Sequence, residues 1–213
     1  MSCTRLLLVR HGNTFGPGDE IVWIGARTDL PLVESGRAQA QRLGTRLRDV
    51  RAMPALVMAG PLRRTAEHAQ LALRAASLSL PVDTIAELRE IDYGIWEGKT
   101  SATIRASGGA TELQQWDEHS IWPDTPGWQP TQAEIMRNIE GLMAHIAQQC
   151  PAKLAMVVSS NGILRFFARA SSDHHGLASL KVSTGNVCLL VRDGDKWLIS
   201  YWNRPPEQTE IVS

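Results

Sequence analysis

The sequence is poor in cysteine, in net charge and in long apolar runs, and each shortage removes a class of protein. Cys3, Cys150 and Cys188 are its only cysteines, an odd number spread over the chain. They offer no disulfide framework, and a reducing cytoplasm is the expected compartment. Lys plus Arg equals Asp plus Glu at 22 each. That balance gives no overall field toward nucleic acid or an anionic membrane, and neither is expected as a partner. The earliest apolar run, residues 6–9, is too short for a signal segment or a membrane span. Nucleophile and ligand motifs are missing as well. There is no Cys-x5-Arg, since Cys3 lies seven positions before Arg10. His-Glu-x-x-His, Gly-x-Ser-x-Gly, the Walker loop and Gly-x-Gly-x-x-Gly are all absent, so no metal and no nucleotide cofactor is expected.

What is present is a globular pattern. Apolar residues make up 43% of 213 residues, enough for one domain with a sizeable core. Three short apolar runs, 6–9, 56–58 and 154–158, read as buried parallel strands. Ala40, Leu43, Leu47 and Val50 mark one helix face. Thr131 with Glu134 makes a capping box before Ile135, Ile139, Leu142 and Ile146, and Pro151 closes that helix. Another helix is predicted from Pro61, as a first helical residue. A short strand is predicted over 82–85. Residues 187–191 and 197–201 read as two strands joined through the turn dipeptide Asp193-Gly194. The alternation predicts a three-layer α/β/α fold around a mostly parallel sheet. Residues 95–130 break it with Gly108-Gly109, three prolines and Trp96, Trp116, Trp122 and Trp128. This stretch is either a lid or wall over the site, or a satellite core packed by tryptophan.

In open α/β sheets, ligands bind beyond the carboxyl ends of the strands. Arg10, His11, Gly12 and Asn13 follow the first run, and Arg63 and Arg64 the second. Ser159, Ser160, Asn161 and Gly162 follow the third, and Glu90 follows the predicted strand at 82–85. The ends therefore deliver a histidine, arginines and a carboxylate, which suits an anion site with a nucleophile. Arg10 and Arg64 provide forked donors for phosphate oxygens, and a neutral His11 is a competent nucleophile. Arg63 is expected to be solvated. Glu90 is the expected general acid, with Glu87 and Glu97 as competitors nearby, and Asn13 is read either as a substrate contact or as an ordinary turn residue.

Leu8-Val9-Arg10-His11-Gly12-Asn13-Thr14 resembles the signature of the phosphoglycerate mutase-like histidine phosphatases. Asp29-Leu30-Pro31-Leu32, Pro61-Leu62-Arg63-Arg64-Thr65, the segment from Leu88 through Gly98, and Trp202-Asn203 resemble later blocks of that family, in family order. The resemblance implies phosphoryl transfer to His11 and then to water, without metal.

Two departures accompany it. The family's second histidine is expected where Ser160 stands, in Val158-Ser159-Ser160-Asn161-Gly162. Ser160 and Asn161 can still hold phosphate oxygens by hydrogen bonds, but neither carries positive charge, so the expected enzyme works slowly. His119, His174 or His175 are candidates to replace the missing ring, though the His174-His175 pair reads as a solvated loop. The stretch 15–26 is longer than the family's usual segment, so contacts from it are not carried over.

Between 95 and 130 two basic residues, Lys99 and Arg105, face five acidic ones. That is a poor second anion site. The expected activity is therefore hydrolysis of a small phosphorylated metabolite with an apolar or planar body. A phosphoglycerate mutase-type phosphotransferase, and a phosphate-binding protein that has lost turnover, are the alternatives. The sequence is silent on oligomeric state.

Overall fold

Alternation inside the first strand decides how the layers form. In β1 (Arg5–Arg10), Leu6 and Leu8 enter one apolar cluster while Leu7 and Val9 enter another. Successive strand side chains point to opposite faces, and here both faces are covered, so the run is apolar throughout. The computed structural model describes residues 3–125 and 127–211.

The remaining strands are β2 (Leu56–Ala59), β3 (Asp83–Thr84), β4 (Leu154–Ser159), β5 (Val187–Asp193) and β6 (Lys196–Arg204). They form one sheet in the order β3-β2-β4-β1-β5-β6. The first four are mutually parallel, β5 runs antiparallel to β1, and β6 runs antiparallel to β5. β4 splits its side chains like β1: Ala155 and Val157 go to one cluster, Leu154, Met156 and Val158 to the other.

Two helices, α1 (Glu34–Asp49) and α2 (Arg63–Ala75), cover one face through Leu43, Leu47, Ala69, Ala72 and Leu73. The other face carries α5 (Gln132–Gln149) and α6 (Asn161–Arg169), through Ile135, Ile139, Ile146, Phe166 and Phe167. The result is the expected α/β sheet with helices on both sides. The capping box is present, with the Thr131 hydroxyl accepting from the Glu134 amide and Glu134 accepting from the Thr131 amide. Among the described residues no helix is long and apolar enough to cross a membrane.

Three boundaries differ from the sequence reading. Helix α2 starts at Arg63 rather than Pro61, because its first amide is capped by a distant side chain, Asp29 Oδ1 at 2.7 Å, and Leu62 stays extended. Strand β3 shrinks to two exposed residues at the sheet edge, which gain little from burial. Asp193 is still paired, with Lys196, so the hairpin turns one residue later, at Gly194-Asp195, with Gly194 at φ +58°.

Residues 101–119 form a broken helix, α3 (Ser101–Ile104) then α4 (Ala110–His119), interrupted at Gly108 with φ +91°. Trp96, Trp116 and Trp128 are buried and meet edge to face, with centroids 5.4 Å apart for Trp96–Trp128 and 4.8 Å for Trp116–Trp128. The tryptophans fill the core on the side of α5 and α6, and Trp116 alone of the four also lines a cavity that Arg10 and His11 share.

Candidate active site

The carboxyl ends of β1 and β4 lie side by side. Arg10 is in register with Ser159, and the Ser159 carbonyl accepts the His11 amide at 3.0 Å. They open onto a cavity of about 450 Å³ whose floor carries Arg10, His11 and Glu90. Its walls come from the loop after β1 (Phe15, Ile21, Val22, Trp23, Ile24), from Trp116 and Asp117 of α4, and from Asn161, Lys181 and Thr184.

His11 is nearly buried, at 5% exposure. Its Nδ1 sits 2.8 Å from the Gly12 carbonyl, a bond that requires the proton on Nδ1 and leaves the Nε2 lone pair for the cavity. Burial, then the charges of Arg64 and Arg10, hold the ring well below the ordinary histidine range, so it is neutral near pH 7.

The Glu90 carboxylate accepts the amides of Ile91 at 3.0 Å and Gly162 at 3.2 Å, and the Tyr93 hydroxyl. A Cβ at Gly162 would come 2.4 Å from Glu90 Oε1, so this glycine is what admits the carboxylate to the start of α6. Burial, reinforced by Glu90, pushes the Tyr93 phenol well above its usual value, which keeps it a donor. Glu87, by contrast, is exposed, and Glu97 is occupied by Thr28 Oγ1 at 2.7 Å and Arg27 at 3.3 Å.

The two arginines differ. Arg10 lines the cavity, donates to the Val182 carbonyl and leaves Nε without a partner. Arg64 is wholly buried, and its terminal nitrogens donate to the carbonyls of Thr28 at 2.6 Å and Gly25 at 3.1 Å. It lies close enough to act on His11 and Glu90 electrostatically but is absent from the cavity lining. Its Nε makes no hydrogen bond, and each terminal nitrogen keeps one further N–H. Burial lowers both guanidinium values while the Glu90 charge raises them. Two cations facing one carboxylate leave the site short of negative charge. Arg63 is exposed on the surface.

Asn13 lines the cavity with its amide engaged, accepting from Thr184 Oγ1 at 2.5 Å and donating to Ser35 Oγ at 3.2 Å. Asn161 also lines it, and its Oδ1 accepts the Val182 amide at 2.9 Å. Ser160 is fully buried, is absent from the cavity lining, caps the start of α6 by position only, and its hydroxyl has no hydrogen-bond partner. His119 is exposed next to Glu118, and His174 and His175 stack on each other 3.9 Å apart; none of the three lines the cavity.

The sequence reading missed His68 on α2, which is completely buried with its Nδ1 accepting the Gly12 amide at 3.0 Å. A histidine on the apolar face of a helix, four residues after Arg64, was its only signal. Lys181 and Asp117, 3.0 Å apart across the cavity mouth, were missed too, because no local pattern relates them. Among the described residues no group of three or more His, Cys, Asp or Glu is gathered so as to hold a metal ion.

Comparison with known proteins bears on this geometry. The 2,3-bisphosphoglycerate-dependent phosphoglycerate mutase of Bifidobacterium longum is 34% identical over 115 residues, 53% of this chain and 45% of that protein. By that match the chain spans about half the length of the curated mutases it resembles. Phosphoglycerate mutase-like protein 4 of Arabidopsis thaliana is 26% identical over 93% of this chain and 84% of its own length. The structure of the alpha-ribazole phosphatase from Shigella flexneri superposes with a TM-score of 0.70 at 26% identity, covering 94% of this chain and 96% of that one. The model of the histidine phosphatase superfamily (branch 1) matches residues 6–205, and this chain belongs to that family.

Proposed function

We propose that this protein is a phosphomonoesterase acting on a small phosphorylated metabolite through a phosphohistidine at His11. The observation that carries this reading is the His11 ring itself, neutral, with Nδ1 tied to the Gly12 carbonyl, on the floor of a cavity it shares with Arg10 and Glu90. In this reading His11 Nε2 attacks phosphorus, the P–O ester bond breaks, and the leaving oxygen takes a proton from Glu90. Water then attacks phosphorus and the P–N bond breaks. Glu90 recovers the proton from that water, and inorganic phosphate leaves.

Arg10 balances charge on the equatorial oxygens and buried Arg64 adds positive charge from behind the cavity lining, with Ser160, Asn13 and Asn161 as neutral donors. Neither Ser160 nor Asn161 brings positive charge, which is the basis for expecting modest turnover. Phe15, Ile21, Val22, Trp23 and Ile24 favour an apolar substrate body. The only lysine at the mouth, Lys181, is paired with Asp117, which leaves little cation for the second anionic group a mutase must hold. We place the enzyme in a reducing compartment and expect it to need no metal.

The test is intact-mass spectrometry after brief mixing with p-nitrophenyl phosphate. A single phosphoryl adduct on the wild type, absent from His11→Ala, is expected, together with phosphate release. Adduct and turnover both missing from the wild type would favour a binding protein. Isomerised 3-phosphoglycerate without free phosphate would favour a mutase.

A further inference from the structure

We propose that His68 is a positioning residue which holds the turn carrying the nucleophile, so that the imidazole of His11 presents Nε2 and not Nδ1 to the cavity. The inference rests on the reading of His11 as nucleophile, but its central observable is independent of turnover.

The two rings are linked through Gly12 and use opposite nitrogens. His68 Nδ1 accepts the Gly12 N–H at 3.0 Å, and the Gly12 carbonyl accepts from His11 Nδ1 at 2.8 Å. His68 must therefore carry its proton on Nε2, and His11 its proton on Nδ1. Gly12 has no freedom to seek another partner. A Cβ there would lie 2.4 Å from the Gly36 carbonyl oxygen, so the turn is pressed against the start of α1. The next residue is fixed from that side as well, by the Asn13 amide on Gln39 Oε1 at 2.8 Å and the Val33 amide on the Asn13 carbonyl at 3.0 Å. His68 supplies a further hold from α2, in addition to the Gly185 amide on the His11 carbonyl at 3.2 Å.

Packing alone does not explain a histidine here. The residue is fully buried, and its Nε2 has no hydrogen-bond partner. An unpaired buried donor costs stability, so an aliphatic side chain would fill the site at less expense. What the aliphatic chain lacks is an acceptor for the Gly12 amide. Without it, that buried N–H is orphaned, and the His11–Gly12 peptide keeps a single restraint, the Gly185 amide on the His11 carbonyl at 3.2 Å. The next peptide, whose carbonyl fixes the His11 tautomer, is then steered from one end only, by the Asn13 amide on Gln39 Oε1. The bond also needs a neutral His68, and burial lowers that ring to about 3.

The test compares His68→Leu, which removes the acceptor, with His68→Asn, whose Oδ1 falls near the place of Nδ1. Nitrogen NMR of the imidazole rings should show His11 protonated on Nδ1 and His68 on Nε2 in the wild type. His68→Leu should mix the His11 tautomers and lower kcat for p-nitrophenyl phosphate about 10–100-fold with KM little changed, the size seen when a supporting partner is lost. His68→Asn should restore most of both. The proposal is overturned by a single unchanged His11 tautomer with unchanged kcat in His68→Leu, by Asn failing to rescue, or by a wild-type His68 protonated on Nδ1. The last reading requires no variant to fold. If the wild type shows no phosphatase turnover, the tautomers still decide this point while the phosphomonoesterase reading falls.

Discussion

Ser159 accepts the His11 amide through its backbone carbonyl at 3.0 Å, and Ser160 is the next residue along the chain. The Ser160 hydroxyl is buried and makes no hydrogen bond in the resting protein. Buried polar atoms are nearly always paired, and an orphan one residue after the carbonyl that holds the His11 amide is expected to find its partner when substrate arrives. Ser160→Ala should then lower kcat about 10–100-fold, toward the cost of losing a preorganised donor. Thermal stability should hold or rise slightly, because no bond in the free protein is lost. Ser160→His adds a larger ring to a closed site and should cost about 1–3 kcal/mol from overpacking, while its extra donor raises turnover. Unchanged kinetics in Ser160→Ala would remove this residue from the site.

Much of this arrangement is legible along the chain because it is local. Residues 8–14 place the histidine directly after an apolar run, and strands β1, β2 and β4 are found within two residues because runs covered on both faces read the same way in any register. Glu90 is separable from Glu87 and Glu97 only in three dimensions: the first is exposed and the second is consumed by Arg27 and Thr28, contacts about 70 positions away along the chain. The start of α2 moves for the same reason, since its cap, Asp29, is supplied from a distant loop. His68 is hidden because a single histidine on a helix gives no indication that its Nδ1 meets a glycine amide 56 residues earlier. The tryptophans suggest a wall or a satellite core, and composition alone cannot show that three of the four are buried away from solvent.

Arg64 illustrates a donor divided between two tasks. Its terminal nitrogens hold the loop at Gly25 and Thr28, which leaves Nε and one N–H on each terminal nitrogen uncommitted. Arg64→Met should therefore impair folding as well as binding. Losing hydrogen bonds from a charged donor costs about 1.5–3 kcal/mol, or roughly 3–12 °C in Tm for a chain of this size. A calorimetric melt, paired with the KM for p-nitrophenyl phosphate, reads both losses. A variant with normal Tm and raised KM would mean that the loop contacts carry no stability.

Acid should destabilise the fold through its buried imidazoles. His68 falls from 6.5 to about 3 by burial, and His11 is also lowered well below 6.5. Below pH 6.5 the unfolded chain binds protons at these rings and the folded chain does not. Stability is thus complete above 6.5 and is lost as the pH falls toward 3, by up to about 1.4 kcal/mol per pH unit for each ring. Denaturant melts of the wild type and His68→Asn between pH 7 and pH 4 should show a shallower loss in the variant. Carboxylates titrating in the same window affect both proteins alike and cancel in the difference. Parallel curves would mean that His68 is protonated in the folded state.

Ile21 tests the substrate's shape. It is 72% exposed, yet it lines the cavity beside Phe15, Val22 and Trp23, so an apolar side chain is held in water where a ligand would cover it. Covering it in part on binding is worth about 1–2 kcal/mol, which corresponds to roughly 5–30-fold in affinity. Ile21→Ser should raise KM by that factor for an aryl phosphate and leave kcat alone, because the contact is made equally in ground and transition states. For glycerol phosphate, which has no apolar body to place against the loop, KM should be unaffected. Equal losses on both substrates would show that the loop acts on the phosphate site itself, and the preference for an apolar substrate would have to be abandoned.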